Sequence, residues 1–337
     1  FDFDATGIGS VPFTDAEEAC SLIFENFKTI PFWPQLPKRS FLESMYAQYS
    51  ERLPGAVIDE VGKSIHIETA GVAESVEELY GNYLDGNVDF FAISEKFALG
   101  FYKFLEHLQK ARPSLKFVKG QTTGPISYAL SVTDENRKAI IHDKDLFEIV
   151  TKMLCMRARW QIRKLKKLFP AVIIFIDEPY LVSIGSSFVN INVEEAFSRL
   201  DELIIAIKEE GALAGLHCCG NTDWSVLLKR NLDILNFDSY AFMKEFLLYS
   251  AEIKTFLQKG STIAWGIVPS SEEVDKHSGK TLAEKLRDEL QALVDKGIPA
   301  DSISSIVTPS CGVGTLDENR ARKVFELTRI VSSAMRT

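Results

Sequence analysis

"AVIIFIDEP", residues 171–179, is the stretch that decides the fold. It holds six apolar residues without polar alternation, rich in β-branched side chains and closed by two acids and a proline. That describes a strand buried on both faces, as in a parallel sheet. Five further runs read the same way: "LKFV" (115–118), "ALAGL" (212–216), "DILNF" (233–237), "STIAW" (261–265) and "ISSIV" (303–307). Helical patterns separate them at 143–169, 193–211, 279–297 and 316–335. The first of these opens on acids and ends on lysines, as the helix dipole favours.

The N-terminal part is less regular. "ATGIGSV" (5–11) reads as a first strand with its loop, and "TDAEEACSLIFENF" (14–27) as a helix. Thr14 is its N-cap candidate, with Glu17 three residues on. "TIPFWPQLPKR" (29–39) carries three prolines and reads as a loop. A second strand is placed within "GAVIDEVGKSIHIE" (55–68). About eight strands with helical crossovers predict an α/β fold, a (β/α)8 TIM barrel. It would be one domain over 1–337 with N-terminal elaborations. A doubly wound sheet is the rival, but no G-x-G-x-x-G opens a helix after a strand.

The 337 residues carry a formal charge of −9, with acids and bases interspersed. There is no basic arm or aromatic–basic platform, so no nucleic-acid partner is expected. No apolar stretch approaches the ~20 residues of a membrane helix. The opening "FDFDATGIGS" lacks the regions of a signal peptide. The five cysteines, Cys20, Cys155, Cys218, Cys219 and Cys311, include no C-x-x-C. A disulfide framework is not expected, and a cytoplasmic location is.

In a parallel barrel the chemistry sits where the strands end. Those ends read "GIGS" (7–10), "QTTGP" (121–125), "DEP" (177–179), "HCCGN" (217–221), "DSY" (238–240), "GIVPS" (266–270) and "TPSCG" (308–312). The opposite loops, such as "KKLFP" and "KEEG", hold plain charges. This asymmetry points to a site without any single motif. Within "GLHCCGN" (215–221), His217 and Cys219 are two apart and leave an extended strand on one side, while Cys218 points to the other. An imidazole and two thiolates, the second from Cys311, suit zinc. The bland alternative is a satisfied core histidine among packing cysteines.

At these residues the chain resembles the C-terminal catalytic barrel of cobalamin-independent methionine synthase. That barrel lies in a wider superfamily with uroporphyrinogen decarboxylase and corrinoid-linked thiol methyltransferases. The resemblance runs nearly end to end, through "GIGSVPFTD", "WPQLPKR", "KGQTTGPISYA", "FIDEPYL", "LHCCGN", "WGIVPSSEEVDKHS" and "TPSCGVGTLDENRA". It implies zinc held by His217, Cys219 and Cys311, with Asp238 at a carboxylate position where the family usually has Glu. It also implies an amino-acid thiol acceptor. Ile8, Gly9 and Ser10 would cradle its carboxylate and Asp177 its ammonium. Glu43 would be a second acid, although local spacing differs by one residue. His277 matches a histidine in a mobile loop near the methyl donor. Bland readings stand beside these: Ser10 as a cap, Glu43 as a surface acid, His277 as a solvated loop residue.

The implied reaction is methyl transfer to homocysteine, giving methionine, since cationic zinc lowers a thiol's pKa. Full-length synthases carry a duplicated N-terminal half that helps bind polyglutamyl folate, and this sequence shows none. The expected donor is therefore methylcobamide, free or on a corrinoid protein, rather than methyl-tetrahydrofolate. Asp177 favours an ammonium-bearing acceptor over a sulfonate thiol such as coenzyme M. A uroporphyrinogen decarboxylase-like enzyme and a structural-zinc protein are the alternatives.

Overall fold

A computed structural model describes residues 1–110, 114–184 and 191–336. Its strands are β1 (Asp2–Ala5), β2 (Ala56–Asp59), β3 (Ser64–Ile67), β4 (Val118–Thr123), β5 (Thr133–Asp134), β6 (Val172–Asp177), β7 (Leu213–Cys218), β8 (Ile234–Phe237), β9 (Thr262–Val268) and β10 (Ser305–Pro309). Seven of them form one curled sheet in the order β1-β10-β9-β8-β7-β6-β4. Every neighbouring pair in it is parallel. Helices pack around this sheet, giving a barrel-like α/β fold.

Burial along β6 shows two faces. Val172, Ile174 and Ile176 join the large core between sheet and helices. Ile173 and Phe175 join a second, smaller core with Ile30, Ile234, Ala264 and Ile306, inside the curl. The period of two therefore assigns each strand residue to the helix layer or to the interior. Both faces are dry, which is why these strands read as continuous apolar runs.

Four expectations need correction. The first strand, expected within "ATGIGSV", is Asp2–Ala5 and lies almost entirely before that stretch, while "GIGS" follows it in the loop as expected. The segment 55–68 is not a second barrel strand. Its halves pair antiparallel, Ala56 opposite Ile67 and Asp59 opposite Ser64, in a separate three-stranded sheet with β5. Lys63 sits at φ 50°, so the chain reverses between them. The N-cap of the helix Ala16–Asn26 is Asp15, not Thr14; its Oδ1 accepts from the amides of Glu17 (2.8 Å) and Glu18 (3.3 Å). Finally, "TIPFWPQLPKR" is more than a connecting loop. Lys119 donates to the Pro31 carbonyl and Trp33 to that of Lys119 (2.9 and 3.2 Å), while Gln35 donates to Gly9 and Val11 to Gln35 (3.0 and 2.9 Å). Residues 31–35 thus bridge the gap between β4 and the chain beyond β1. Pro31 and Pro34 have no N–H, so no continuous ladder forms there.

The helix Leu99–Gln109 lies against this segment. A Cβ on Gly100 would fall 1.9 Å from the Pro34 carbonyl oxygen. Backbone cannot yield as a side-chain tip can. Gly100→Ala is expected to lower unfolding stability by about 2–3 kcal/mol, measured by urea denaturation. An unchanged midpoint would mean that this contact does not hold residues 31–35 in place.

Candidate metal and substrate site

The site grows from the interior face of the strands at their C-terminal ends. Phe175 pairs with Gly215 and Asp177 with His217, so the alternation that sends Phe175 inward sends Asp177 and His217 inward too. Leu216 and Cys218 go to the helix layer, and Cys218 is fully buried there. Cys219 returns to the inside. Cys311 arrives just beyond β10. The ligand atoms of His217, Cys219 and Cys311 all lie within 4.8 Å of one another.

These three residues line a pocket of about 260 Å³, whose wall also includes Asp177, Ile8 and Ser10. This is at the small end for ligand sites. Gly312 lets the strand end approach Ser10, since a Cβ there would lie 2.2 Å from its Oγ. The Ser10 carbonyl accepts from Val313 (2.9 Å). Gly9 is in the same segment; a Cβ on it would meet the Gln121 side chain at 2.9 Å.

The ionisable groups of the pocket act on one another. The neighbouring Cys311 thiol, then His217, holds the Cys219 thiol down at about 4. Cys219 in turn pushes Cys311 well up. Burial works against the His217 cation, but the nearby Cys219 and Asp177 outweigh it and raise the imidazole. Burial pushes Asp177 up to about 6, against the pull of His217 and Lys119. Its Oδ1 is buried without a hydrogen-bond partner among the described residues, and so is Nε2 of His217. Bare acceptors of this kind are costly unless a ligand satisfies them. Two sulfurs and a free imidazole nitrogen suit zinc by donor type.

The other candidates lie outside this cluster. Asp238 is the N-cap of the helix Ser239–Phe246, its Oδ1 accepting from Ala241 (2.9 Å). Burial pushes it up to about 6. Glu43 is fully buried, so it is no surface acid. It pairs with Arg39, and its immediate neighbours Ser44 and Met45, rather than Glu43, line the pocket. Burial raises its carboxyl to about 7 despite Arg39. His277 lies beside Tyr240, with Nε2 2.8 Å from the hydroxyl and the rings edge-on, and does not line the pocket.

Three supporting residues escaped the sequence reading. Lys119, fully buried in β4, donates to the Ile8 carbonyl (2.5 Å) and lies 4.4 Å from the centre of the Phe175 ring. Burial pushes it down to about 7. Glu178 accepts from the amides of Ile126 (2.9 Å) and Ser127 (2.7 Å), tying "TTGP" to "DEP". Asn236, on β8, faces His217. The signal available for each was a polar residue inside a buried strand or directly at its end.

No protein-family profile matches the chain, and no curated protein matches it. Among the described residues no helix is long and apolar enough to cross a membrane. Solved structures do match. A Bacteroidetes-affiliated GH5 cellulase aligns with a TM-score of 0.41 and 10% identity, over 73% of this chain and 79% of that one. A B12-independent methionine synthase from Shewanella sp. W3-18-1, in complex with selenomethionine, aligns with a TM-score of 0.60 and 14% identity. That alignment covers 100% of this chain and 98% of the other, so over its whole length the protein is similar in fold to a B12-independent methionine synthase.

Proposed function

We propose that this protein is a zinc-dependent S-methyltransferase whose acceptor is the thiol of homocysteine, giving methionine. The observation that carries the reading is the company kept in one small pocket: a His/Cys/Cys cluster beside the bare Asp177 carboxylate and Ser10. Zinc, when bound, supplies a Lewis acid that lowers a ligated thiol's pKa and so makes a thiolate available at neutral pH. His217, Cys219 and Cys311 would hold it. Asp238 would add a carboxylate, since the helix cap occupies only its Oδ1. Asp177 would bind the acceptor's ammonium, and the Ile8–Gly9–Ser10 segment its carboxylate, braced from below by Lys119. Glu43 would act from behind the wall, through its charge. His277, with Tyr240, would stand on the donor side. The acceptor S–C bond forms as the donor–methyl bond breaks, and the thiol proton leaves to solvent.

The same reading takes the chain as a single (β/α)8 domain, with residues 31–35 as the second stave. With free cysteines throughout the described residues, it places the protein in the cytoplasm. The donor we favour is methylcobamide, free or on a corrinoid protein. One observation favours a second donor: the Shewanella protein of matching length is called B12-independent, which points to methyl-tetrahydrofolate.

Zinc-loaded protein should be given methylcobalamin or methyl-tetrahydrofolate with homocysteine or coenzyme M, and products followed by mass spectrometry. Methionine formation that stops on zinc removal is expected. Transfer that survives complete zinc removal, or a protein active only on coenzyme M, would overturn the reading. An unchanged zinc coordination by X-ray absorption on adding homocysteine would favour a structural zinc.

A further inference from the structure

We propose that Asn236 is a positioning residue, which fixes the His217 ring in the tautomer whose Nε2 lone pair faces the cysteines. The purpose of this arrangement rests on the zinc reading above. The arrangement itself rests on hydrogen-bond geometry alone.

Asn236 lies on β8, in register with His217 on β7 and Ala264 on β9. It is fully buried. Its Nδ2 lies 2.8 Å from the Ala264 carbonyl oxygen and 2.8 Å from Thr308 Oγ1. A carbonyl can only accept, so the amide nitrogen must be the atom facing it. The flipped amide would set oxygen against oxygen. With the amide so oriented, Oδ1 is the atom 2.5 Å from His217 Nδ1. An amide oxygen can only accept, so Nδ1 must carry a hydrogen. In the neutral ring the lone pair is then on Nε2, which is buried and has no hydrogen-bond partner among the described residues.

The chain of constraint runs across four strands. The β9 backbone and Thr308 on β10 hold Asn236 on β8, and Asn236 holds His217 on β7. A metal-ligating histidine needs its second nitrogen occupied in this way, so that the ring neither rotates nor changes tautomer. A neutral amide does this without adding negative charge beside the two cysteines and Asp177 of the pocket.

The test uses the full chain and compares wild type with Asn236→Leu, Asn236→Asp and Thr308→Val. In metal-free protein, ¹⁵N-resolved spectra of the imidazoles, with His217 assigned by its loss in His217→Gln, should show the Nδ1–H tautomer. Zinc affinity is measured by competition with a chromophoric chelator. Asn236→Leu should lose the tautomer preference and bind zinc ~10–100-fold more weakly. Asn236→Asp keeps the acceptor for Nδ1 but sets an oxygen against the Ala264 carbonyl, so it should keep the Nδ1–H tautomer while binding zinc more weakly than wild type; Thr308→Val should fall between wild type and Asn236→Leu. A neutral wild-type His217 ring that carries its hydrogen on Nε2 instead of Nδ1, or Asn236→Leu with wild-type affinity, would overturn the inference. If Asn236→Leu does not fold, the wild-type tautomer and Asn236→Asp still decide it. Wild type with the Nδ1–H tautomer but no zinc affinity would uphold the positioning role while removing the zinc reading.

Discussion

Cys219→Ser protein is expected to purify with less than about a tenth of an equivalent of zinc and to lose methyl transfer by at least ~10³-fold. Serine keeps the shape of the side chain but replaces a soft anion by a neutral, hard hydroxyl. The effect is large because Cys219 lies in the His217/Cys219/Cys311 cluster, where the neighbouring Cys311 and then His217 lower its thiol. On the proposed zinc site, the substitution would remove one of the two sulfur ligands. Cys218→Ser is the matched control. Cys218 is buried in the helix-side core, its thiol 3.5 Å from the Gly220 carbonyl oxygen. That variant should keep its zinc and its activity. Elemental analysis with a methionine assay reads both. Zinc lost from Cys218→Ser but kept in Cys219→Ser would sink the alternation argument.

Asp177→Asn should reduce kcat/KM for homocysteine by ~10²–10³, in the range for removing one charge of a buried charge pair. The amide is isosteric, so the pocket keeps its volume. What disappears is a carboxylate whose Oδ1 is buried and bare of hydrogen bonds among the described residues. The discriminating measurement is the ratio of rates with homocysteine and with 4-mercaptobutanoate, its analogue without the amine. Wild type should prefer homocysteine strongly, and the variant should nearly lose that preference. An equal fall with both acceptors would mean that Asp177 serves the metal cluster and not the ammonium. Lys119 also feels the Asp177 charge, so Asp177→Asn leaves a buried cation less compensated. Thermal unfolding of Asp177→Asn beside Lys119→Met/Asp177→Asn separates that structural effect from the loss of substrate binding.

Strands wet on neither face are the most legible. β6 was expected at 171–176 and occupies Val172–Asp177, and the long helix expected at 143–169 occupies Lys144–Lys166. Strands that carry the site's own polarity were harder to see. β4 is "VKGQTT", wholly buried, yet its polar composition hides it; the reading "LKFV" caught only its first residue. Residues 31–35 read as a plain loop because proline signals a loop in the local chain, and only the neighbours on both sides supply their hydrogen bonds. The hairpin at 56–67 carried an honest strand pattern, but a pattern does not say which sheet a strand joins.

The site divides in the same way. Alternation along a strand is a property of the local backbone, so the sequence by itself determined that His217 and Cys219 share one side and Cys218 the other. Position at a strand end also brought Asp177 and Cys311 forward. Only the tertiary structure decided which of these residues meet. It drew Cys311 to within 4.8 Å of a pair more than ninety residues earlier. It also drew Glu43 inside but off the pocket wall, and left Asp238 as a helix cap. Asn236 and Lys119 acquired their roles only through partners on other strands. The physical reason is that side-chain direction follows from the chain's own period, whereas distance across the curled sheet is set by how its strands pack around the same core.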